Sequence, residues 1–170
     1  MHDEVFEFPM NGDIRRMRKK SGFTLIEIMV TVGVISLLAS LASIAVLKAH
    51  RKALQKQTET ELNLLSAAVL NMAWDTGRWP NKDSRAATGS TEIWNIQPAT
   101  VGLMATDGTF NNWRGPYYEG AVLDPWGSPY FFDPDYLING VNHPVVGSFG
   151  PNRQGRNLYD QDDIYILLDD

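Results

Sequence analysis

Residues 23–47 form an almost uninterrupted apolar run of twenty-five positions with a single charge, Glu27. That length crosses a hydrocarbon layer as a helix with some tilt. The pattern then changes character. Over residues 48–76, polar and apolar positions recur at helical spacing, with Leu62, Leu65, Val69 and Met72 on one stripe and Ala68 and Ala73 beside it. No proline or glycine interrupts residues 34–75, so a single helix of about fifty residues is predicted, which is some 75–80 Å at the standard rise. Gly77 and Pro80 end it by their backbone preferences. The apolar stripe predicts a face packed on a globular head.

Beyond the helix the pattern is shorter and more broken. Residues 81–114 read as a connector punctuated by Gly, Thr, Asn and Ser, with a short helix near 100–106. Two segments dense in turn formers follow, Gly115–Tyr118 and Asp124–Tyr130. They lead into apolar runs at 130–133, 145–149 and 164–168, which read as antiparallel strands. The expected fold is α+β: a long N-terminal membrane and stem helix packed on a small antiparallel sheet.

A head of about a hundred residues has a modest core. Five Trp, six Tyr and seven Phe raise the apolar area available per residue. The chain has no cysteine, so packing or some other tie must take the place of disulfides. The net charge of −5 is unevenly spread. Residues 1–22 hold five basic and four acidic side chains, leaving ten basic and sixteen acidic ones beyond. A basic footprint for nucleic acid is therefore not expected on the head.

The junction before the apolar run carries the strongest signal. Arg15, Arg16, Arg18, Lys19 and Lys20 make a basic cluster, Ser21 and Gly22 follow it, and Phe23 opens the run. An ordinary secretory signal puts its cleavage site after the apolar region. Glycine, phenylalanine, glutamate and apolar run in this order resemble the leader and cleavage site of type IV prepilins and type II secretion pseudopilins. The resemblance implies that residues 1–22 are a leader, that a prepilin peptidase cuts between Gly22 and Phe23, and that Phe23 becomes N-methylated. Met17 offers an alternative start, which would give a six-residue leader.

Glu27 is expensive in such a run, because a carboxylate inside a bilayer costs about 2.5–3.5 kcal/mol even on insertion scales. It can reach the headgroups, or it can pair with the α-ammonium of a neighbouring subunit's Phe23. The second reading neutralises both charges and sets the axial stagger during assembly. Gly33, Ser36, Ala39, Ser40, Ala42 and Ser43 keep the helix narrow enough for close packing in the membrane. Lys48, His50, Arg51, Lys52 and Lys56 fall where the helix would meet lipid headgroups. They nearly balance the charge on the leader side, so orientation rests on the resemblance.

A glycine-bearing loop at residues 147–164 brings Asn152, Asp160, Asp162, Asp163 and backbone carbonyls together. Calcium takes six to eight such oxygens in flexible geometry, and the spacing is not that of an EF-hand. With Asp124–Tyr130, this region resembles the G-type, major pseudopilin of type II secretion. The resemblance implies a calcium ion held by the Phe149 backbone carbonyl, Asn152, Asp160 and Asp163. The family usually has Asp where Asn152 stands. Further likeness lies in residues 75–80 and 113–117. Two departures are Ser36 and Ile44, where pilin-like stems often have Gly and Pro, and the long stretch between Pro80 and Trp113.

Catalytic readings find no support. His2, His50 and His143 share no metal spacing, Gly147–Gly150 is not a nucleophile elbow, and phosphate-binding glycine loops are absent. The five tryptophans read as core and turn packing. The resemblance implies a non-enzymatic filament subunit at the inner membrane, with its head in the periplasm and a pseudopilus after assembly. Its expected partners are copies of itself, prepilin peptidase, minor pseudopilins and an inner-membrane assembly platform. Alternatives are a type IV pilin for adhesion, motility or DNA uptake, and a membrane-tethered calcium-dependent binding module.

Overall fold

The computed structural model describes residues 22–85, 91–156 and 159–168. The expected leader apart from Gly22, with Met17 and the whole basic cluster, lies outside these residues, as does part of the 80–113 stretch. Two compact units divide the chain, Met1–Ile44 and Ala45–Asp170. The helix α1, Leu25–Thr76, contributes to both.

In the first unit every described residue is exposed. The helix is long and apolar enough, by length and composition, to cross a membrane. Its hydroxyls are turned back on their own backbone: Thr31 donates to the Ile28 carbonyl at 2.9 Å, and Ser36, Ser40 and Ser43 donate to the carbonyls of Val32, Leu37 and Ala39 at 2.8 Å. Each of these hydroxyls is thus satisfied without water. A Cβ added at Gly33 would meet nothing within 4 Å.

In the second unit α1 buries Thr58, Leu62, Leu65, Ser66, Ala68, Val69, Met72 and Ala73. All six residues of the predicted stripe are among them. Gly77, at φ 70°, ends the helix in the left-handed conformation that glycine adopts without strain. Three strands form the sheet: β1 (Phe131–Ile138), β2 (Val141–Ser148) and β3 (Ile164–Leu167), antiparallel in the order β1-β2-β3. Alternation along the strands splits the core. Phe132, Val146 and Ile166 pack with the helix stripe, while Phe131, Val145 and Tyr165 pack with Tyr136 and Phe149 on the other face.

The first two strands are longer than the apolar runs at 130–133 and 145–149 suggest. Asn139 and Gly140, at φ 52° and 82°, form a tight two-residue turn that joins β1 to β2. Pro134 and Pro144 hide this from a reading by apolar runs. Asp133 pairs with Val145 and Tyr136 with His143, so both prolines fall at the irregularity between those pairs. A missing N–H is harmless there. The run at 164–168 forms a strand one residue shorter, β3.

The short helix expected near 100–106 is instead a single 3-10 turn, Ala99–Val101. Gly102, at φ 81°, stops it, and the Leu103 carbonyl accepts from the Tyr117 and Tyr118 amides at 2.8 and 3.2 Å. The connector is also more than a spacer. Ile96, Val101, Leu103 and Phe110 belong to the main core, and Ile93 bridges to Phe132. Trp79 is buried, whereas Trp74 is largely exposed beneath the Arg85 guanidinium at 4.3 Å. The two segments 75–80 and 113–117 meet in space: the Tyr117 hydroxyl donates to Asp75 Oδ2 at 3.0 Å, and the Arg114 guanidinium lies 3.9 Å from Asp75 Oδ1.

Candidate functional sites

At the start of α1, Thr24 and Glu27 bind each other. Glu27 Oε2 accepts from the Thr24 amide at 2.7 Å and from its hydroxyl at 2.8 Å, and the Glu27 amide donates to Thr24 Oγ1 at 3.3 Å. This is a capping box, in which two otherwise orphaned donors of the first turn are satisfied reciprocally. The Thr-x-x-Glu signal is present at residues 24–27, yet a reading centred on charge passes over it. Glu27 therefore has a partner within its own chain. Both of its bonds use Oε2, which leaves Oε1 open among the described residues. Phe23, Ile26, Glu27, Val30 and Thr31 line a hollow of about 340 Å³ beside it.

The C-terminal loop is built around β2's exit. Asp124 is buried and tied on both oxygens: Oδ1 accepts from the Trp126 and Ser128 amides at 3.0 and 2.8 Å, and Oδ2 from the Ser148 hydroxyl at 2.6 Å. Ser148 Oγ in turn accepts from the Gly150 amide at 3.0 Å. This chain of bonds fixes where the loop begins. Gly150 sits so close to the end of the loop that a Cβ there would run into the Asp162 carbonyl.

Within the loop, Asn152 Nδ2 donates to Asp160 Oδ2 at 2.8 Å, while Asn152 Oδ1 accepts from the Gln154 amide at 2.7 Å. Asp160 Oδ1 accepts from the Asp162 amide at 2.9 Å. Asp163 Oδ2 accepts from the Tyr136 hydroxyl at 2.7 Å, but its Oδ1 is buried with no partner. A Cβ on Gly155 would touch both that oxygen and the Phe149 ring. Burial, with Asp160 and Asp162 nearby, pushes the Asp163 carboxyl up to about 6 against the opposing Tyr136 bond.

Among the expected ligands, then, Asn152 and Asp160 are in direct contact, and Asp163 stands on Tyr136. Among the described residues no group of three or more His, Cys, Asp or Glu stands ready to hold a metal. The orphaned Asp163 oxygen and the all-oxygen donor set nevertheless fit a hard cation such as calcium.

A second buried acid was not singled out in the sequence. Asp133 lies on the far face of β1, where Oδ1 accepts from the Asp135 amide at 2.9 Å. Its Oδ2 and Asp135 Oδ1 are both buried without a partner. Burial, with Asp135 and Glu92 adding like charge, raises the Asp133 carboxyl to about 7.

Comparison with known proteins agrees with this anatomy. The model of the prokaryotic N-terminal methylation motif matches residues 17–43, and that of type II secretion system protein G matches residues 45–165. The type II secretion system core protein G of Vibrio cholerae is 30% identical over 118 residues, covering 69% of this chain and 73% of that protein. Its namesake in Pseudomonas aeruginosa is 30% identical over 129 residues, covering 75% and 80%, and that of Klebsiella pneumoniae is 28% identical over 138 residues, covering 80% and 88%. No solved structure matches the chain. With an N-terminal methylation motif leading directly into a matching secretion domain, the chain belongs to the protein G family of type II secretion systems.

Proposed function

We infer that this protein is a structural subunit of a type II secretion pseudopilus. The observation that carries the reading is the pairing of an apolar first stretch of α1, exposed throughout and under a methylation motif, with a protein G head. An exposed apolar surface of this size needs lipid or other copies of itself to cover it. Prepilin peptidase would cut between Gly22 and Phe23 and methylate Phe23. The subunit would wait in the inner membrane with its head in the periplasm. It would then join a helical homopolymer with minor pseudopilins, on an inner-membrane platform. Its role is structural rather than enzymatic.

In that filament Glu27 would pair with the Phe23 ammonium of a neighbour. The capping box favours a second reading, in which Glu27 serves only its own helix end. Glu27→Gln separates the two, because glutamine can fill the same capping role without the charge. Assembly is expected to fail in this variant while leader cleavage continues, as read by filament shearing and by mobility of the processed form. Normal filaments from Glu27→Gln would leave the capping role alone.

The head would hold a calcium ion through the Phe149 carbonyl, Asn152, Asp160 and Asp163. That ion would give the Asp163 Oδ1 its partner and join the two ends of the loop. Calcium at 100 times its dissociation constant is expected to stabilise the folded protein by about 2.7 kcal/mol. Asp163→Asn should remove that shift. The shift should also shrink at pH 5, where the Asp163 carboxyl, at about 6, holds a proton that competes with the ion. A calcium-insensitive melting temperature at pH 7.5 would exclude the site.

A further inference from the structure

Arg51, Gln55, Trp126, Pro151 and Asp162 line a cleft of about 480 Å³ within the second unit. The stem supplies Arg51 and Gln55, one turn apart on α1; the Asp124–Tyr130 turn supplies Trp126, and the C-terminal loop supplies Pro151 and Asp162. The volume is that of a small-molecule site. Its chemistry is bipolar. Arg51 and Asp162 both face the cleft, yet among the described residues neither enters an ion pair. An occupant that neutralises both must carry an anion and a cation of its own.

The position of the cleft along the helix narrows the choice. Leu47 ends the apolar run. Arg51 and Gln55 follow by four and eight residues, or about 6 and 12 Å at the helical rise. The headgroup layer outside the hydrocarbon core is roughly 5–8 Å deep on each side. Arg51 thus stands at headgroup depth, and Gln55 stands just past its outer edge. Trp126 is the residue type enriched at that level, and its ring also attracts an ammonium.

We propose that this cleft seats the headgroup of a zwitterionic phospholipid bearing a primary ammonium, as in phosphatidylethanolamine. The phosphate accepts from the Arg51 guanidinium and the Gln55 amide, and the ammonium donates to the Asp162 carboxylate beside Trp126. A glycerol headgroup lacks the cation that Asp162 requires. A choline headgroup keeps the cation but has no N–H to donate. The assignment rests on the membrane part of the reading above and adds a lipid preference to it. A subunit leaving the bilayer would have to release this lipid, so the cleft would report on whether the subunit is still membrane-bound.

The test uses the full chain in vesicles of phosphatidylethanolamine, phosphatidylglycerol and phosphatidylcholine mixed in equal parts. Flotation first reads membrane residence: protein that does not float overturns the membrane reading itself. For protein that floats, native mass spectrometry after detergent extraction reads the retained lipid. Phosphatidylethanolamine is expected to dominate. Arg51→Gln and Asp162→Asn should each lower its retention roughly threefold, the size of one partly exposed charge contact. Equal retention of the three lipids, or no change in the double variant, overturns the proposal. A photo-reactive benzoylphenylalanine at position 55 supplies the independent arm. Crosslinks to lipid support the assignment, and crosslinks only to a second copy of the chain overturn it.

Discussion

Leu38 and Leu65 lie on the same helix, in the same residue type, and have opposite surroundings. Leu38 is 62% exposed, while Leu65 is wholly buried under the sheet and connector. The first stretch is apolar all round, so no one face is marked as a core. The second is apolar only along a stripe, and the head closes over that stripe. A helix uniformly apolar calls for a uniformly apolar medium; a striped one calls for a partner of defined shape. Helix propensity is not what separates the two stretches. The distribution of polar side chains around the axis separates them.

The sharpest way to break this contrast is to make the same change in both stretches. Leu65→Ala is expected to destabilise the head by about 2–5 kcal/mol, because a fully packed site collapses poorly. Leu38→Ala should leave the near-ultraviolet melting curve of the detergent-solubilised chain where it was. Equal shifts would show that the first stretch also packs on the head. Next in size is Asp124→Ala, which strands the Trp126 and Ser128 amides and the Ser148 hydroxyl. A loss of about 2–3 kcal/mol is expected, with hydrogen exchange at Trp126, Ser128 and Gly150 rising more than in the helix stripe.

A third test is a pH dependence confined to the head. Asp133 binds its proton up to about pH 7 when folded, against an ordinary carboxylate value of 3.8 when unfolded. The folded state therefore holds a proton that the unfolded chain sheds. Stability is greatest below the unfolded value and falls as pH rises towards 7. Melting without calcium should occur at a lower temperature at pH 8 than at pH 5, and Asp133→Asn should reduce the decline to the share that Asp163, also raised, contributes. A melting temperature that climbs over that interval would contradict the assignment.

The sequence made some of this legible and hid the rest for identifiable reasons. The helix, its end at Gly77 and all six stripe residues follow from periodicity and one glycine, which are local properties. The strand centres could be read from apolar runs, but their extent depended on two prolines falling at the same irregularity, a fact of pairing. The Asn139–Gly140 turn carries its own signal, which a reading by apolar runs alone passes over. Glu27 was visible as a charge in the wrong solvent, while its bond to Thr24 required reading the same four residues as a helix start. Asp124 was conspicuous only as part of a turn. Its grip on Ser148, twenty-four residues away, exists only in the folded chain. Asp133 gave no sign at all, because its burial is set by the far face of the sheet.

The Asp124 linkage has a consequence for a chain without cysteine. Through one carboxylate and one hydroxyl it ties the 124–128 turn to the end of β2 and to Gly150 in the loop. A disulfide could make a comparable tie, but only where an oxidant is present. A hydrogen-bonded tie closes wherever the chain is, reopens without chemistry, and needs no oxidoreductase. The timing of head folding is thereby independent of the redox state of the compartment in which it happens.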